Sequence, residues 1–493
     1  MTSPVVHFTR TTTFLQPNQS RVLLRPFNHG DARKTNQILA RILALPDDKV
    51  DQLLEGISAS FSHRHLDLPK ALLERCDQLR DLLPPAPLSE ARRMLIGSCF
   101  LAEFSVESAA LFNPSIVRHP DQSGLPAGAL RFVLSLRATG EGHISSMTFR
   151  TGIVHPNQRI EILPPSPFLT EPQQIVNPWY EKPLFERKLA ELHLDLEFTQ
   201  RILGDLASSF TLDQLREALA SEQAHRPGGL TQKEQTAAQG IWMLARSNFE
   251  VQFQPDRELS ERVLFPATPA QRNGIEDARF VCFRNDDGIH DYYATFTAYD
   301  GRIVVPELVE TTDFVHFRFI TLNGPAALNK GMALFPRKVG GRYVMLSRQD
   351  NENTSIMFSD NVHFWNESTL LLTPAFPWEI IQLGNCGSPV ETEAGWLVLS
   401  HGVGPMREYC IGAFLLDLED PTKVLGRLRE PLLKPNASER EGYVPNVVYT
   451  CGFLLHEGQL IIPYGLADHS TGFATVPLSE VLAAMEPDPL ANP

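Results

Sequence analysis

Two adjacent carboxylates and an arginine stand between a predicted turn and a predicted strand in residues 273–280. They are Glu276, Asp277 and Arg279. Paired carboxylates suit the cleavage of a glycosidic bond, because one of them must give a proton to the leaving oxygen. The same residues equally fit a turn capped by an aspartate, next to a Glu–Arg pair on the surface. The spacing alone leaves both interpretations open.

Basic or polar residues also stand at the ends of several predicted strands, one to a strand. They are Arg137, Lys330, Arg348 and His401. Side chains of this kind can converge on an anion such as phosphate, to which Arg offers two parallel hydrogen bonds and Lys a point charge. Each of them taken singly also fits an ordinary solvated charge at the end of a strand, so only the set favours an anion site.

Hairpins recur through the second half of the chain and predict how such residues meet. Their turn glycines, Gly288, Gly341, Gly395 and Gly458, are separated by 53, 54 and 63 residues. A repeat of this size predicts the blades of a β-propeller, because one four-stranded sheet cannot bury both of its faces and a ring of sheets can. Strands predicted at 130–136 and 144–149 add an earlier blade, which makes five. A propeller gathers loops from all its blades around one central channel.

Helical periodicity surrounds the first of these blades. We predict an N-terminal helical region at 1–105, a first blade at 106–155, a helical insertion at 156–265 and the remaining blades at 266–485. The expected fold is mainly β: a five-bladed β-propeller with an added α-helical lobe, made of the N-terminal helices and the insertion packed together.

Composition narrows the classes of partner. The 493 residues carry a net charge of −14, which argues against a general nucleic-acid or anionic-membrane surface. No stretch approaches the roughly 18 apolar residues of a membrane span, and the first residues do not resemble a signal peptide. Six scattered cysteines without a CxxC pair favour free thiols in the cytoplasm over disulfides or a zinc site. The composition is compatible with a homo-oligomer.

Short motifs over about 112–150 and 270–480 together carry a family resemblance. They are Phe112-Asn113-Pro114-Ser115, Gly274-Ile275-Glu276-Asp277-Ala278-Arg279, Leu334-Phe335-Pro336-Arg337-Lys338, Gly395-Trp396-Leu397, His401-Gly402-Val403, Leu415-Leu416-Asp417-Leu418, Asp420-Pro421, Gly442-Tyr443-Val444-Pro445-Asn446-Val447-Val448 and Tyr464-Gly465-Leu466-Ala467-Asp468. In this order they resemble glycoside hydrolase family 130, which contains β-mannoside phosphorylases and some β-mannosidases on five-bladed propellers.

The resemblance implies an inverting phosphorylase, a glycosyltransferase that acts on a small oligosaccharide or mannoside. Asp277 would be the general acid, with its proton passing through a sugar hydroxyl. Inorganic phosphate, the co-substrate, would attack the anomeric carbon and give α-mannose 1-phosphate and a shortened sugar. No other cofactor and no metal is implied.

Site residues follow from the same resemblance. The phosphate would be held by Arg137, Arg279, Lys330, Arg348 and His401, and the sugar by Asn113, Glu276, Asp300 and Asp468. One departure is Gly331, where the family commonly has a polar or acidic residue.

Two alternatives stay open at this point. A β-mannosidase of the same fold would need a carboxylate base for water, for which Glu391 and Glu393 are candidates. A non-catalytic carbohydrate-binding propeller would need neither acid nor base.

Overall fold

The computed structural model of the chain describes residues 6–175, 178–191, 194, 196–226, 228–299 and 304–488. Within these ranges the fold is mainly β, with four helices in each of two separate stretches of the sequence and one short helix near residue 480. Among the described residues, no helix has both the length and the apolar character that crossing a membrane would require.

The first stretch holds four helices flanked by short strands. Its elements are β1 (Thr9–Leu15), β2 (Val22–Pro26), α1 (Ala32–Leu43), α2 (Asp47–Phe61), α3 (Leu68–Gln78), α4 (Glu90–Cys99) and β3 (Leu101–Ser105). Three of the helices begin at a side-chain cap: Asp31, Asp67 and Ser89 each accept a hydrogen bond from a backbone N–H of the first turn.

The next stretch begins with long strands and continues into the second set of helices. Its elements are β4 (Ala110–Arg118), β5 (Leu130–Thr139), β6 (Ser145–Val154), β7 (Ile160–Ile162), β8 (Gln173–Gln174), β9 (Trp179–Glu181), α5 (Lys182–Glu191), α6 (Leu196–Gly204), β10 (Ser209–Thr211), α7 (Leu212–Ala224), α8 (Gln232–Ser247), β11 (Phe249–Gln252) and β12 (Val263–Leu264).

The remainder is almost entirely β. Its elements are β13 (Gly274–Arg284), β14 (His290–Tyr299), β15 (Val304–Thr311), β16 (His316–Thr321), β17 (Lys330–Leu334), β18 (Tyr343–Arg348), β19 (Thr354–Ser359), β20 (Ser368–Leu372), β21 (Gln382–Asn385), β22 (Val390–Thr392), β23 (Gly395–Val403), β24 (Tyr409–Leu416), β25 (Val424–Leu428), β26 (Val448–Tyr449), β27 (Leu454–His456), β28 (Gln459–Leu466), β29 (Ser470–Pro477), α9 (Leu478–Ala483) and β30 (Met485–Glu486).

These strands form a series of largely antiparallel sheets. β4, β5 and β6 form one group, which a single parallel pair, Ser145 with Gly274, joins to β13, β14, β15 and β16. The later sheets run β17-β18-β19-β20, then β21-β23-β24-β25-β30, then β26-β28-β29-β1. The hairpins predicted at the four turn glycines are confirmed, and Gly288, Gly341 and Gly458 have φ angles of 82°, 79° and 74°.

The N-terminal region differs from the uniformly helical one that we expected. β1 pairs antiparallel with β29, so the beginning of the chain extends the sheet formed near its end. The pairing covers an edge of β29 that would otherwise expose backbone donors and acceptors. β1 has the polar sequence TRTTTFL, in which no strong apolar alternation indicates a strand.

The predicted single helical lobe is also wrong, because each set of helices has its own core. α1 to α4 bury a cluster that includes Leu39, Ile96 and Phe100. α5 to α8 bury a separate cluster that includes Phe198 and Phe210. Each set already satisfies its apolar faces internally, so neither needs the other to exclude water. The predicted insertion also contains strands, of which β7, β8, β11 and β12 join the first large sheet.

Candidate active site

Three strands carry a β-bulge near the residue where they begin, two of them in the large first sheet and one in the next sheet. The bulges in β4, β13 and β17 contain Asn113, Asp277 and Gly331, whose φ angles are +47°, +54° and +88°. A bulge redirects a side chain, and a positive φ is unfavourable for residues other than glycine. Such strain persists where the surrounding structure imposes it, often at functional sites.

Asp277 connects the two strand groups of the large first sheet. Its Oδ1 accepts a hydrogen bond of 2.6 Å from Asn113 Nδ2 and lies 3.4 Å from Arg137 Nη1. The Asp277 side chain is 17% exposed. Three residues that the sequence analysis assigned to one site are therefore together, although Asn113 and Arg137 precede Asp277 by 164 and 140 residues.

Glu276 organises the cations around this acid. Its Oε1 lies 2.7 Å from Arg137 Nη2, and its Oε2 lies 3.1 Å from Lys330 Nζ. Arg137 Nε also donates to Ser145 Oγ at 2.9 Å. Because both Glu276 oxygens face a cation, the carboxylate fixes the positions of Arg137 and Lys330 next to Asp277.

Arg279 is almost completely buried, at 3% exposure, and joins three strands. It donates to the carbonyl oxygens of Asp277 and Cys386, each at 3.1 Å, and to Tyr449 Oη at 2.6 Å. Burial raises the pKa of the Tyr449 phenol, so this residue stays protonated and can donate its hydroxyl hydrogen to a ligand. The sequence analysis did not identify Tyr449.

Arg348 and His401 form a second part of the site, with Arg348 Nη1 3.0 Å from His401 Nε2. Burial, together with the charges of Arg348 and Arg279, lowers the pKa of His401 well below its usual value. His401 is therefore a neutral hydrogen-bonding group near pH 7, which corrects our expectation of a potentially cationic one.

Several buried polar atoms here have no hydrogen-bond partner within the described part of the chain. They are Asn113 Oδ1, Arg348 Nε, His401 Nδ1 and both side-chain polar atoms of Asn385. Buried polar groups are nearly always paired, so this cluster offers hydrogen-bonding positions to a polar ligand or to ordered water. Asn385 is fully buried and was missed by the sequence analysis.

Gly331 lies beside this unpaired cluster. A Cβ atom at this position would stand 3.4 Å from Arg348 Cβ and 3.9 Å from Asn385 Oδ1. A larger side chain would therefore project toward Arg348 and Asn385 and fill the space next to them. The departure from the family pattern at Gly331 keeps this part of the site open.

Electrostatics hold Asp277 in its ionised form. Burial works against ionisation, but the charges of Arg137, Arg279 and Lys330 and the hydrogen bond from Asn113 outweigh it. The net result is a pKa below that of an ordinary aspartate. The acid therefore needs a change in the surrounding charge before it can carry a proton at neutral pH.

Asp468 shows the opposite shift. Burial, and then the negative charge of Asp277, raise its pKa to about 6, against the opposing effect of Arg137 and Arg407. Asp468 also has a positive φ of 51°. Asp468 is therefore electrostatically coupled to Asp277 and Arg137.

The remaining predicted residues lie elsewhere or outside the description. Asp300 lies outside the residues that the structure describes. Glu391 pairs with Arg337 at 2.6 Å and lies 3.9 Å from Arg284, the last residue of β13, whereas Asp277 is near the first. Glu393 is an exposed residue of the β22–β23 hairpin. Neither glutamate stands beside Asp277 as a base for water.

Taken together, the site can hold a multiply charged oxyanion next to a carboxyl group that exchanges a proton. Four cations surround Asp277 and the unpaired amide and imidazole atoms: Arg137, Arg279, Lys330 and Arg348. Cys386 is no nucleophile here, because burial raises the pKa of its thiol to about 12.

Residues 242–487 match the family model described as beta-1,4-mannooligosaccharide phosphorylase. Among similar proteins, a 1,2-beta-oligomannan phosphorylase from Thermoanaerobacter sp. (strain X514) is 35% identical over 231 residues, which cover 45% of this chain and 75% of that protein. A beta-1,4-mannooligosaccharide phosphorylase from Ruminococcus albus is 31% identical over 240 residues, 46% of this chain and 70% of that one.

Solved structures add a further similarity. The complex of Listeria innocua beta-1,2-mannobiose phosphorylase with beta-1,2-mannobiose covers 78% of this chain and 93% of its own, with 24% identity and a TM-score of 0.47. The sequence of the Listeria innocua beta-1,2-mannobiose phosphorylase is 33% identical to this chain over 235 residues, which cover 45% of this chain and 63% of that protein.

Proposed function

The chain belongs to glycoside hydrolase family 130, and on this premise we propose that it is a β-mannoside phosphorylase. It cleaves a β-mannoside with inorganic phosphate and releases α-mannose 1-phosphate and a shortened sugar. The relatives at 31–35% identity are named as phosphorylases of mannosides or oligomannans, which supports this activity.

One observation carries the proposal: the acid Asp277 faces a set of cations and unpaired hydrogen-bonding atoms. Arg348 Nε, His401 Nδ1 and the Asn385 amide are buried without partners in the described residues. Phosphate offers several strong acceptor oxygens, which suit the arginine and the amide donors.

The chemistry follows from this pairing. A phosphate oxygen forms a bond to the anomeric carbon while the bond to the leaving oxygen breaks on the opposite face. The leaving oxygen takes a proton that Asp277 supplies, through a sugar hydroxyl in the route that the family implies. Phosphate is already an anionic nucleophile, so no protein base is needed. This agrees with the positions of Glu391 and Glu393 away from Asp277.

Asp277 is ionised in the empty site, although it must carry a proton to act as the acid. Bound phosphate provides a way to protonate it. Arg137, Arg279 and Lys330 depress the pKa of Asp277 after burial has raised it. A bound dianion offsets these positive charges and so raises the pKa of Asp277. The acid becomes competent when the nucleophile is present, which favours phosphorolysis over hydrolysis.

We also propose that the sheets form five blades around one axis. Contacts between strands that begin the sheets support this arrangement. Phe280 N, in β13, donates to Ser115 Oγ, in β4, at 2.9 Å. Cys451 N, which follows β26, donates to Pro114 O, also in β4, at 2.8 Å. The first and last sheets are thus neighbours, as a ring requires.

For the site of action we propose the cytoplasm, supported by six free cysteines, which suit a reducing compartment. The substrate class is a short mannoside, and Asn113, Glu276 and Asp468 are proposed to contact its hydroxyls.

Phosphate dependence tests the function. The protein is incubated with β-1,2- and β-1,4-mannobiose, with and without inorganic phosphate, and the products are separated. The expected result is α-mannose 1-phosphate together with mannose, formed only with phosphate. Mannose released at the same rate without phosphate would identify a β-mannosidase. Binding of a mannobiose without any cleavage would identify a non-catalytic sugar-binding protein.

A further inference from the structure

Four large apolar side chains stand in solvent in loops around the candidate active site. Ile380 and Ile381 precede β21, Met406 lies between β23 and β24, and Tyr443 precedes β26. Their exposed fractions are 68%, 54%, 89% and 70%. Exposed apolar residues that group together mark binding surfaces more often than singly scattered ones do. We call these four residues the apolar arc.

The loops that carry the apolar arc contact one another. Ile381 N donates to Val403 O at 2.9 Å, which ties the two isoleucines to the end of β23. Glu408, at the turn after β23, pairs with Arg440 at 2.8 Å. Arg440 belongs to the loop that presents Tyr443. The three loops that carry these side chains are therefore linked to one another.

Both ends of the arc lead directly into the site. Gln382, next to the two isoleucines, has its side-chain amide group 3.2 Å from His401 Nε2. Near the other end, Val444 N donates to Ala467 O at 2.9 Å, one residue before Asp468. The loops of the apolar arc are therefore in contact with residues of the site at both ends.

The backbone at Met406 has an unusual conformation. Met406 and Arg407 have φ angles of +57° and +56°, a conformation that long side chains rarely adopt. The positive charge of Arg407 also favours the ionised form of Asp468. A strained turn that exposes a methionine and reaches an acid of the site indicates a role for that exposure.

We propose that the apolar arc binds an apolar group on the leaving side of the substrate, so that the natural substrate is a β-mannoside whose leaving group carries an alkyl or aryl chain. This inference rests on the proposed function. In this arrangement the mannosyl ring and phosphate bind among the polar residues of the candidate active site, and Asp277 lies close to the leaving oxygen. The group attached to that oxygen then extends from the site toward solvent, where the exposed side chains of the apolar arc lie.

The reverse reaction provides the test, because it allows the leaving group to be varied. In it, an acceptor hydroxyl oxygen bonds to the anomeric carbon of α-mannose 1-phosphate, the bond to the phosphate oxygen breaks, and Asp277 takes the proton of the hydroxyl. Burying one methylene strengthens binding roughly fourfold. Even partial burial of a hexyl chain therefore predicts a KM at least about tenfold lower than that of a methyl group.

Phosphate release is measured with methyl β-mannoside and with hexyl β-mannoside as acceptors. Met406→Ser and Ile380→Ser are each expected to remove most of the hexyl advantage and to leave the KM for methyl β-mannoside within about twofold. Ile289→Ser is the control, because Ile289 is 61% exposed in the β13–β14 hairpin, away from the first residues of β13. It should change neither KM.

The outcomes separate this inference from the proposed function. Equal KM values for the two acceptors, with phosphate released from both, would overturn the inference and leave the phosphorylase intact. No phosphate release with either acceptor would overturn the phosphorylase and the inference with it. A third result would also overturn the inference: wild type that self-associates, a Met406→Ser variant that is monomeric, and unchanged KM values would make the arc a contact between copies of the chain.

Discussion

Asn113 donates a hydrogen bond of 2.6 Å to Asp277, and both residues sit in β-bulges at positive φ. The two residues come from strands of different parts of the chain, so each bulge turns its side chain toward the other. The hydrogen bond favours the charged form of Asp277 and adds to the effect of the neighbouring cations on its pKa. The acid is thus held in place and held ionised by the same contacts.

Anion binding should therefore be coupled to proton uptake. Sulfate is a suitable probe, because it is a dianion that does not titrate near pH 5. Titration calorimetry at pH 5, repeated in buffers of different ionisation enthalpy, should show a fraction of a proton taken up on sulfate binding. The reason is that the bound charge raises the pKa of Asp277 from its depressed value.

Two variants assign that proton. Asp277→Asn should remove most of the uptake, whereas Asp468→Asn should retain it. Uptake that persists in Asp277→Asn and vanishes in Asp468→Asn would move the coupled acid to Asp468, whose pKa is about 6 in the empty site.

Arg348 should matter for phosphate more than for the sugar. Replacing Arg348 by Met removes a charged donor beside His401 and should raise the KM for phosphate by about 10- to 100-fold, the effect of one lost charge-assisted hydrogen bond. The KM for the mannoside should stay within about threefold. Arg337→Met, in a pair with Glu391 outside the site, is the matched control. Equal phosphate KM values for the two variants would exclude Arg348 from the phosphate site.

The ionised side chain of Asp468 should lower the stability of the folded protein at neutral pH. Its folded pKa, about 6, lies above the value of about 3.9 for an unfolded chain. Between these values the folded protein binds more protons than the unfolded one, so stability falls as pH rises from about 4 to 6. Asp468→Asn should have a higher Tm than wild type at pH 7 and nearly the same Tm at pH 4. A lower Tm for the variant at pH 7 would show that the ionised carboxylate is stabilising.

A buried cluster of ion pairs joins the N-terminal segment to the sheets and should contribute strongly to the stability of the fold. Glu107, fully buried, pairs with Arg21 at 3.0 Å and with Arg150 at 2.7 Å. Glu107→Gln leaves two buried arginines without their counter-charge and should lower the free energy of unfolding by about 3–5 kcal/mol.

The control for this cluster is Glu161→Gln, which removes the charge of a solvent-accessible carboxylate paired with Arg159 and His155 and should lower the urea midpoint much less. Urea unfolding followed by fluorescence compares the two variants. Similar midpoints would show that the buried cluster adds no more than a surface pair does.

Local signals in the sequence were sufficient for much of the fold. The turn glycines predicted hairpins because only glycine adopts a positive φ without a steric penalty. Gly288, with a φ of 82°, is an example. Helix starts are encoded just as locally: Thr211 with Gln214 and Thr231 with Glu234 have the spacing of a capping box, and both form one. In these cases the residues that determine the structure are neighbours in the chain.

The missed features all depend on contacts between distant segments. β1 joins the last sheet, yet its polar sequence shows nothing of its partner β29. Asn385 and Tyr449 enter the site only because their strands lie beside Arg279 and Gly331. The neutral state of His401 likewise depends on burial and on Arg348, which the spacing of residues does not reveal.

Leaving-group dependence of the Asp277→Asn variant tests the central claim most directly. Phosphorolysis of a β-mannobiose needs a proton on the leaving oxygen, whereas 2,4-dinitrophenyl β-mannoside releases a stable anion without one. We expect Asp277→Asn to lower kcat on the mannobiose by about 10²–10⁴-fold and on the dinitrophenyl mannoside by less than about tenfold. Equal losses on the two substrates, or no loss on the mannobiose, would contradict Asp277 as the acid.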